Sequence, residues 1–109
     1  MFKKETVLKL QNDVGEALAK DLMLVFINET KKLVENLLLA HEQEQSDKII
    51  LFSHSLKSSA RTYGAETLAC LCEQIETAGI NENSIELNVL FKQLPEISEK
   101  TLLLAINYT

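Results

Sequence analysis

Apolar residues along this chain recur every three or four positions, and no stretch keeps the two-residue alternation of a half-buried strand. The longest pattern starts near Val14. Val14, Leu18, Leu22, Val25, Leu33, Leu37 and Ala40 hold one stripe, which predicts a long helix running to about Ala40. Met23, Phe26, Ile27, Thr30 and Val34 widen the apolar surface beyond that stripe. Such a helix either packs on two neighbours or leaves part of its surface for a partner. Asp13 followed by Glu16 has capping-box spacing, with Asp in place of Ser or Thr. Ahead of it, Thr6 to Asn12 reads as a short leading helix whose Val7, Leu8 and Leu10 cap the bundle.

His41 to Gln45 reads as a polar connection, and Ser46 as the N-cap of the next helix, with Asp47 in its first turn. Ile49, Phe52, Leu56, Ser59, Ala60 and Tyr63 fall on one side of that helix. Gly64 closes it, since glycine enters the left-handed conformation without Cβ strain. Ala65 to about Ala78 predicts a third major helix, with Leu68, Leu71, Cys72 and Ile75 inward and Gly79 as its stop. Asn81-Glu82-Asn83-Ser84 is the turn before the last helix. Proline inside a helix costs about 3 kcal/mol. Yet Leu90, Leu94, Ile97, Thr101, Leu104 and Tyr108 keep one phase across Pro95, which favours a single kinked helix over two. The expected fold is all-α: an antiparallel four-helix bundle with a short extra N-terminal helix, one domain over residues 1–109.

Composition agrees and narrows the function. Of 109 residues, 46% are hydrophobic, enough for a packed core without disulfides or metal. Three glycines, one proline and no tryptophan leave few turn formers for a sheet-rich fold. A formal net charge of −5 is opposite to the balance of a nucleic-acid binder. No apolar run approaches the roughly 18 residues that span a bilayer, and Met1-Phe2-Lys3-Lys4-Glu5 opens no signal-peptide apolar region. The expectation is a soluble cytoplasmic protein, monomeric, without nucleic-acid or membrane partners. Cys70 and Cys72 point apart on a helix, so they neither chelate a metal together nor form a C-x-x-C redox motif. Cys72 lies on the apolar stripe as a small core residue.

The chemistry concentrates on the helix ending at Gly64. His54, Lys57, Ser58 and Arg61 share the face opposite its apolar stripe, at i, i+3, i+4 and i+7. An imidazole thus has a cation one turn away and a small hydroxyl beside it, a combination suited to a dianionic phosphoryl group. A surface His with a nearby Lys is by itself usually solvated decoration; the surrounding run changes that. His41, in the polar connection, reads as a plain surface residue, and Lys31-Lys32 and the Glu42 to Glu44 cluster as solvated faces.

The stretch from His54 to Ala65 resembles the signature of the histidine-containing phosphotransfer (HPt) family, roughly H-x-L-K-G-S-x-x-x-x-G-A followed by a helix with a Leu-Cys pair. His54, Leu56, Lys57, Ser59, Gly64, Ala65, Leu68, Leu71 and Cys72 match it; Ser58 stands where the family usually has Gly. The run Lys57-Ser58-Ser59-Ala60 is similar to the LuxU-like group of free-standing quorum-sensing phosphorelay proteins. The resemblance extends loosely from about Thr6 to Tyr108 and implies the same bundle, with His54 exposed midway along a helix as the phosphorylated residue.

It also implies a relay. A receiver domain of a hybrid sensor kinase supplies the aspartyl phosphate and its metal, and the receiver of a response regulator takes the group onward. An ordinary imidazole, with a pKa of about 6.5, is a competent nucleophile near neutral pH. Lys57, Ser58 and Arg61 are the expected phosphate-stabilising residues. No Gly-rich phosphate loop, Walker lysine or carboxylate cluster on the His54 face is visible, so no cofactor and no metal are expected and the chain reads as a carrier, not an enzyme. Receiver docking is expected over Ile50, Leu51 and Ser58, with Met23, Phe26 and Ile27 of the long helix as a second wall. The competing reading is a helical adaptor that binds receivers without carrying phosphate; keeping both His54 and Lys57 favours the carrier. A metal-binding bundle would need inward Glu-x-x-His pairs, which are absent.

Overall fold

The computed structural model describes residues 4–109, which form α1 (Lys4–Val14), α2 (Glu16–Glu42), α3 (Ser46–Tyr63), α4 (Glu66–Ile80) and α5 (Ser84–Ile106), with no strand among the described residues. Each of α2 to α5 packs on two others in the cyclic order α2, α3, α4, α5, and the diagonal pairs do not touch. With short connections this is an antiparallel four-helix bundle, and α1 lies against α2 and α3. The bundle measures 43 × 20 × 20 Å, close to the roughly 40 Å that the 27 residues of α2 span alone.

The core face of α2 differs from the expected stripe. Ala19, Met23, Phe26, Ile27, Thr30, Val34, Leu37 and Ala40 are buried, while Leu18 and Val25 are exposed. Two apolar stripes lie side by side on this helix, and its neighbours decide which one turns inward. The Phe26 ring packs on Tyr63 of α3, with centroids 4.9 Å apart. Met23, Phe26 and Ile27 are therefore core residues, not the second wall of a docking face: none is more than 5% exposed.

Gly15 separates α1 from α2 with φ 87° and ψ 158°, backbone that is open in practice only to glycine. Asp13 consequently stays within α1 and does not cap α2, which has no side-chain cap. Val7 is the buried contact of α1, whereas Leu8 is exposed. At its other end α2 continues to Glu42, so His41 is helical and half-buried, not part of a polar connection. Its ring stacks on Phe91 at 4.1 Å, and its Nε2 lies 2.9 Å from Asn88 Oδ1. His41 thus ties the end of α2 to α5. Ser46 is the first residue of α3, with Gln45 in the cap position.

Gly64 ends α3 as expected, at φ 82° and ψ 15°, and the Ala65 N–H donates back to the Ala60 carbonyl at 2.8 Å. Gly79 does not end α4. It lies inside the helix, where an added Cβ would come 3.1 Å from Ile50 Cγ1 of α3. Its lack of a side chain lets α3 and α4 approach closely. The turn follows at Asn81, and the Asn83 side chain caps α5 by accepting from the Glu86 N–H at 3.1 Å. Helix α5 runs continuously through Pro95, which is exposed, and buries Leu90, Leu94, Thr101 and Ala105. Ser98 Oγ donates to the Pro95 carbonyl at 3.1 Å.

The tight α3–α4 contact has a measurable consequence. Gly79→Val should destabilise the protein by about 1–3 kcal/mol through overpacking against Ile50. Denaturant unfolding checks this; an unchanged midpoint would mean that the contact at Gly79 does not set the helix spacing.

Candidate functional site

Antiparallel packing of α3 on α4 pairs residues in a ladder whose numbers rise on α3 and fall on α4. Ile50 lies against Gly79, His54 against Glu76, and Arg61 against Glu73. Ile50, His54, Lys57 and Arg61 form the α3 side of this ladder because steps of three and four return to the same helix face.

At its centre one carboxylate serves two bases. His54 Nδ1 is 2.7 Å from Glu76 Oε2, and Lys57 Nζ is 2.5 Å from Glu76 Oε1. The imidazole is 60% exposed, while the Lys57 and Glu76 side chains are each 14% exposed. The hydrogen bond from Lys57, opposed by desolvation and helped by the one from His54, holds the Glu76 carboxyl below its ordinary range. An ionised carboxylate can only accept hydrogen bonds. A hydrogen must therefore sit on His54 Nδ1, which in the neutral ring leaves the lone pair on Nε2, away from Glu76. This assigns the tautomer from the hydrogen-bond network.

Lys57 does not stand on the exposed face as expected. Its place three residues after His54 turns it toward α4, where Glu76 meets it. Arg61 donates to Glu73 at 3.0 Å, both side chains being about half exposed. Along the helix axis it sits about 10 Å from His54. Ser58 is exposed one turn from His54, and its carbonyl accepts from Thr62 Oγ1 at 2.9 Å. Leu51 is 59% exposed, whereas Ile50 is half-buried over Gly79. The structure thus gathers Ile50, Leu51, His54, Lys57, Ser58 and Arg61 on one helix, and keeps Met23, Phe26 and Ile27 apart from them in the core. Cys72 is buried, and burial followed by the nearby Glu76 charge pushes its thiol up to about 12, which makes it unreactive.

Glu76 is the site residue that sequence reasoning missed. It borders the apolar stripe beside Ile75 and so looks like a solvated flank. The available signal was topological. Glu76 follows His54 by 22 residues, with the Gly64 turn between them, and an antiparallel pair of helices brings such positions level.

Over residues 21–100 the chain matches the family model of the Hpt domain, and it belongs to that family. The matched region starts in the second turn of α2, ends within α5, and includes His54, Lys57 and Glu76. Hpt domains are phosphocarrier modules, without a nucleotide or metal site of their own, that perform histidine phosphotransfer in two-component phosphorelays and interact there with receiver domains. No curated protein and no solved structure matches the chain. No helix among the described residues is long and apolar enough to cross a membrane.

Because the Glu76 carboxyl is held below its ordinary range, its contribution to stability is full above the unfolded-state pKa and disappears as pH falls through the lowered folded value. Wild type should therefore be more stable than Glu76→Gln at neutral pH, with the difference closing on acidification. Thermal unfolding across a pH series measures this. A difference that does not vary with pH would contradict the ion-pair assignment.

Proposed function

We propose that this chain is a single phosphoryl-carrier domain whose His54 Nε2 accepts a phosphoryl group from a receiver aspartate and hands it to the aspartate of a second receiver. The observation carrying this reading is the exposed imidazole whose Nδ1 is occupied by Glu76, which leaves Nε2 as the available nucleophile. In the first step the Nε2 lone pair forms the N–P bond as the aspartyl O–P bond breaks, and the electron pair stays with the carboxylate oxygen. The second step is its reverse on another receiver. The receivers belong to a hybrid sensor kinase and a response regulator, and they bring the metal and the aspartate. The run Lys57-Ser58-Ser59-Ala60 points to a quorum-sensing relay in the cytoplasm.

Lys57 stabilises the transferred group by redirecting part of its hydrogen bonding from Glu76, Ser58 donates a hydroxyl from one turn away, and Arg61 contributes a longer-range positive field. Docking centres on Leu51 and Ser58 around His54, with Ile50 at the edge. An apolar centre with a charged rim is the ordinary anatomy of a transient interface.

Labelling through a purified, aspartate-phosphorylated receiver tests the reading. Wild type and His41→Gln should take up label, and His54→Gln should take up none while keeping near-wild-type stability. Label retained by His54→Gln would overturn the assignment; receiver binding by a wild type that takes no label would make the chain an adaptor. In the same assay Ser58→Glu should weaken binding and transfer together with little change in thermal stability. Normal binding by this variant would place the docking face elsewhere.

A further inference from the structure

Helix α5 lies diagonally across the bundle from α3, and the two do not touch, so its outer face points away from His54. That face carries apolar surface at both ends. Near the start of α5, Ile85 is 79% exposed and Val89 53%; near its end, Leu103 is 59% exposed and Ile106 53%. Between them stand Lys92, Glu96 and Glu99, all exposed. From Ile85 to Ile106 these positions follow one another by alternating steps of four and three, the spacing of a coiled-coil seam. The buried stripe of α5, which includes Leu90, Leu94 and Thr101, runs along the opposite side, so the bundle core leaves this seam unpartnered.

The order along the seam is its own complement. Reversed end for end, it sets apolar ends against apolar ends and a lysine against a glutamate. About a twofold axis near Glu96, Ile85 of one copy meets Ile106 of the other, Val89 meets Leu103, and Lys92 meets Glu99. Each contact then occurs twice, as an isologous interface requires. A parallel pairing would instead set Lys92 on Lys92 and Glu99 on Glu99. Glu96, nearest the axis, already accepts from its own Lys100 at 3.0 Å, so each copy brings its countercharge with it. With two lysines beside two glutamates the strip is neutral, on a chain whose formal net charge is −5. Two such acidic proteins meet there with the least repulsion.

We propose that the outer face of α5 is a docking surface for the same face of a second copy of this chain, packed antiparallel. The strip is about 32 Å long and one helix wide. Pairing it buries on the order of 1,000 Å² in total, the lower limit for a specific interface, so the dimer is weak and reversible. A monomer is the expectation from the sequence; the exposed order along α5 leads to this dimer instead. The two α3 faces lie on opposite outer sides of the pair and stay open, so each His54 remains accessible while the copies are joined. The pairing does not depend on the carrier reading.

Sedimentation velocity on the full chain, from about 1 μM to about 1 mM, tests this. Wild type should move from its 12.3 kDa monomer toward twice that mass as concentration rises. Leu103→Asp should stay monomeric over the same range, with circular dichroism and thermal midpoint near wild type. Lys92→Glu and Glu99→Lys, each alone, set like charges together at both contacts and should weaken association by roughly tenfold or more. An equimolar mixture of these two variants has opposite charges at both contacts again, and should associate about as well as wild type.

Wild type that stays at 12.3 kDa throughout would overturn the proposal. So would a dimer that survives Leu103→Asp, since another face would then hold it, or a mixture no better than its components. Capture of a receiver or of anionic vesicles by a monomeric wild type, lost in Leu103→Asp, would give the strip a different occupant and overturn it as well.

Discussion

The closeness of α3 to α4 is the constraint on which the His54 face depends. Gly79 leaves room for Ile50, the two helices run antiparallel from that contact, and the next turns of each bring Glu76 level with His54 and Lys57. A carboxylate has a short reach. Moved outward by the thickness of a side chain, α4 could not hold an imidazole on α3 at hydrogen-bond distance. The Gly64 turn belongs to the same constraint, because it reverses the chain in a few residues and fixes the register of the pair.

The shared carboxylate gives the site its electrostatic character. Lys57 is not a spare cation awaiting phosphate; its charge is already paired in a largely buried contact. On the proposed carrier reading, an arriving phosphoryl group competes with Glu76 for it, which moderates how tightly the phosphorylated state is held. A relay protein benefits from that moderation, since a carrier that binds its cargo too well delivers slowly. Cys72, buried beneath this charged pair, stays protonated and adds no competing nucleophile.

Much of this was readable from residue spacing. The three-to-four periodicity, the glycine at position 64 and the polar turn at Asn81–Ser84 define the helices, and the run beginning at His54 identifies the family. What spacing could not decide was which of two adjacent apolar stripes on α2 turns inward. That depends on Tyr63 meeting Phe26 across the α2–α3 contact, and the burial of Met23, Phe26 and Ile27 follows from it. Gly79 looked like a helix stop because glycine often is one; here it serves close approach. His41 looked like a surface residue because its partners, Asn88 and Phe91, lie 47 residues or more away in the chain. Glu76 was hidden for the same reason, as a contact between helices leaves no periodic mark on either.

The most direct test of His54 Nε2 as the phosphoryl acceptor is nitrogen–phosphorus correlation NMR on the intact protein after loading from a phospho-receiver. The predicted spectrum has phosphorus coupled to His54 Nε2, with Nδ1 still protonated. Phosphorus on Nδ1, on His41, or on no histidine at all would contradict it.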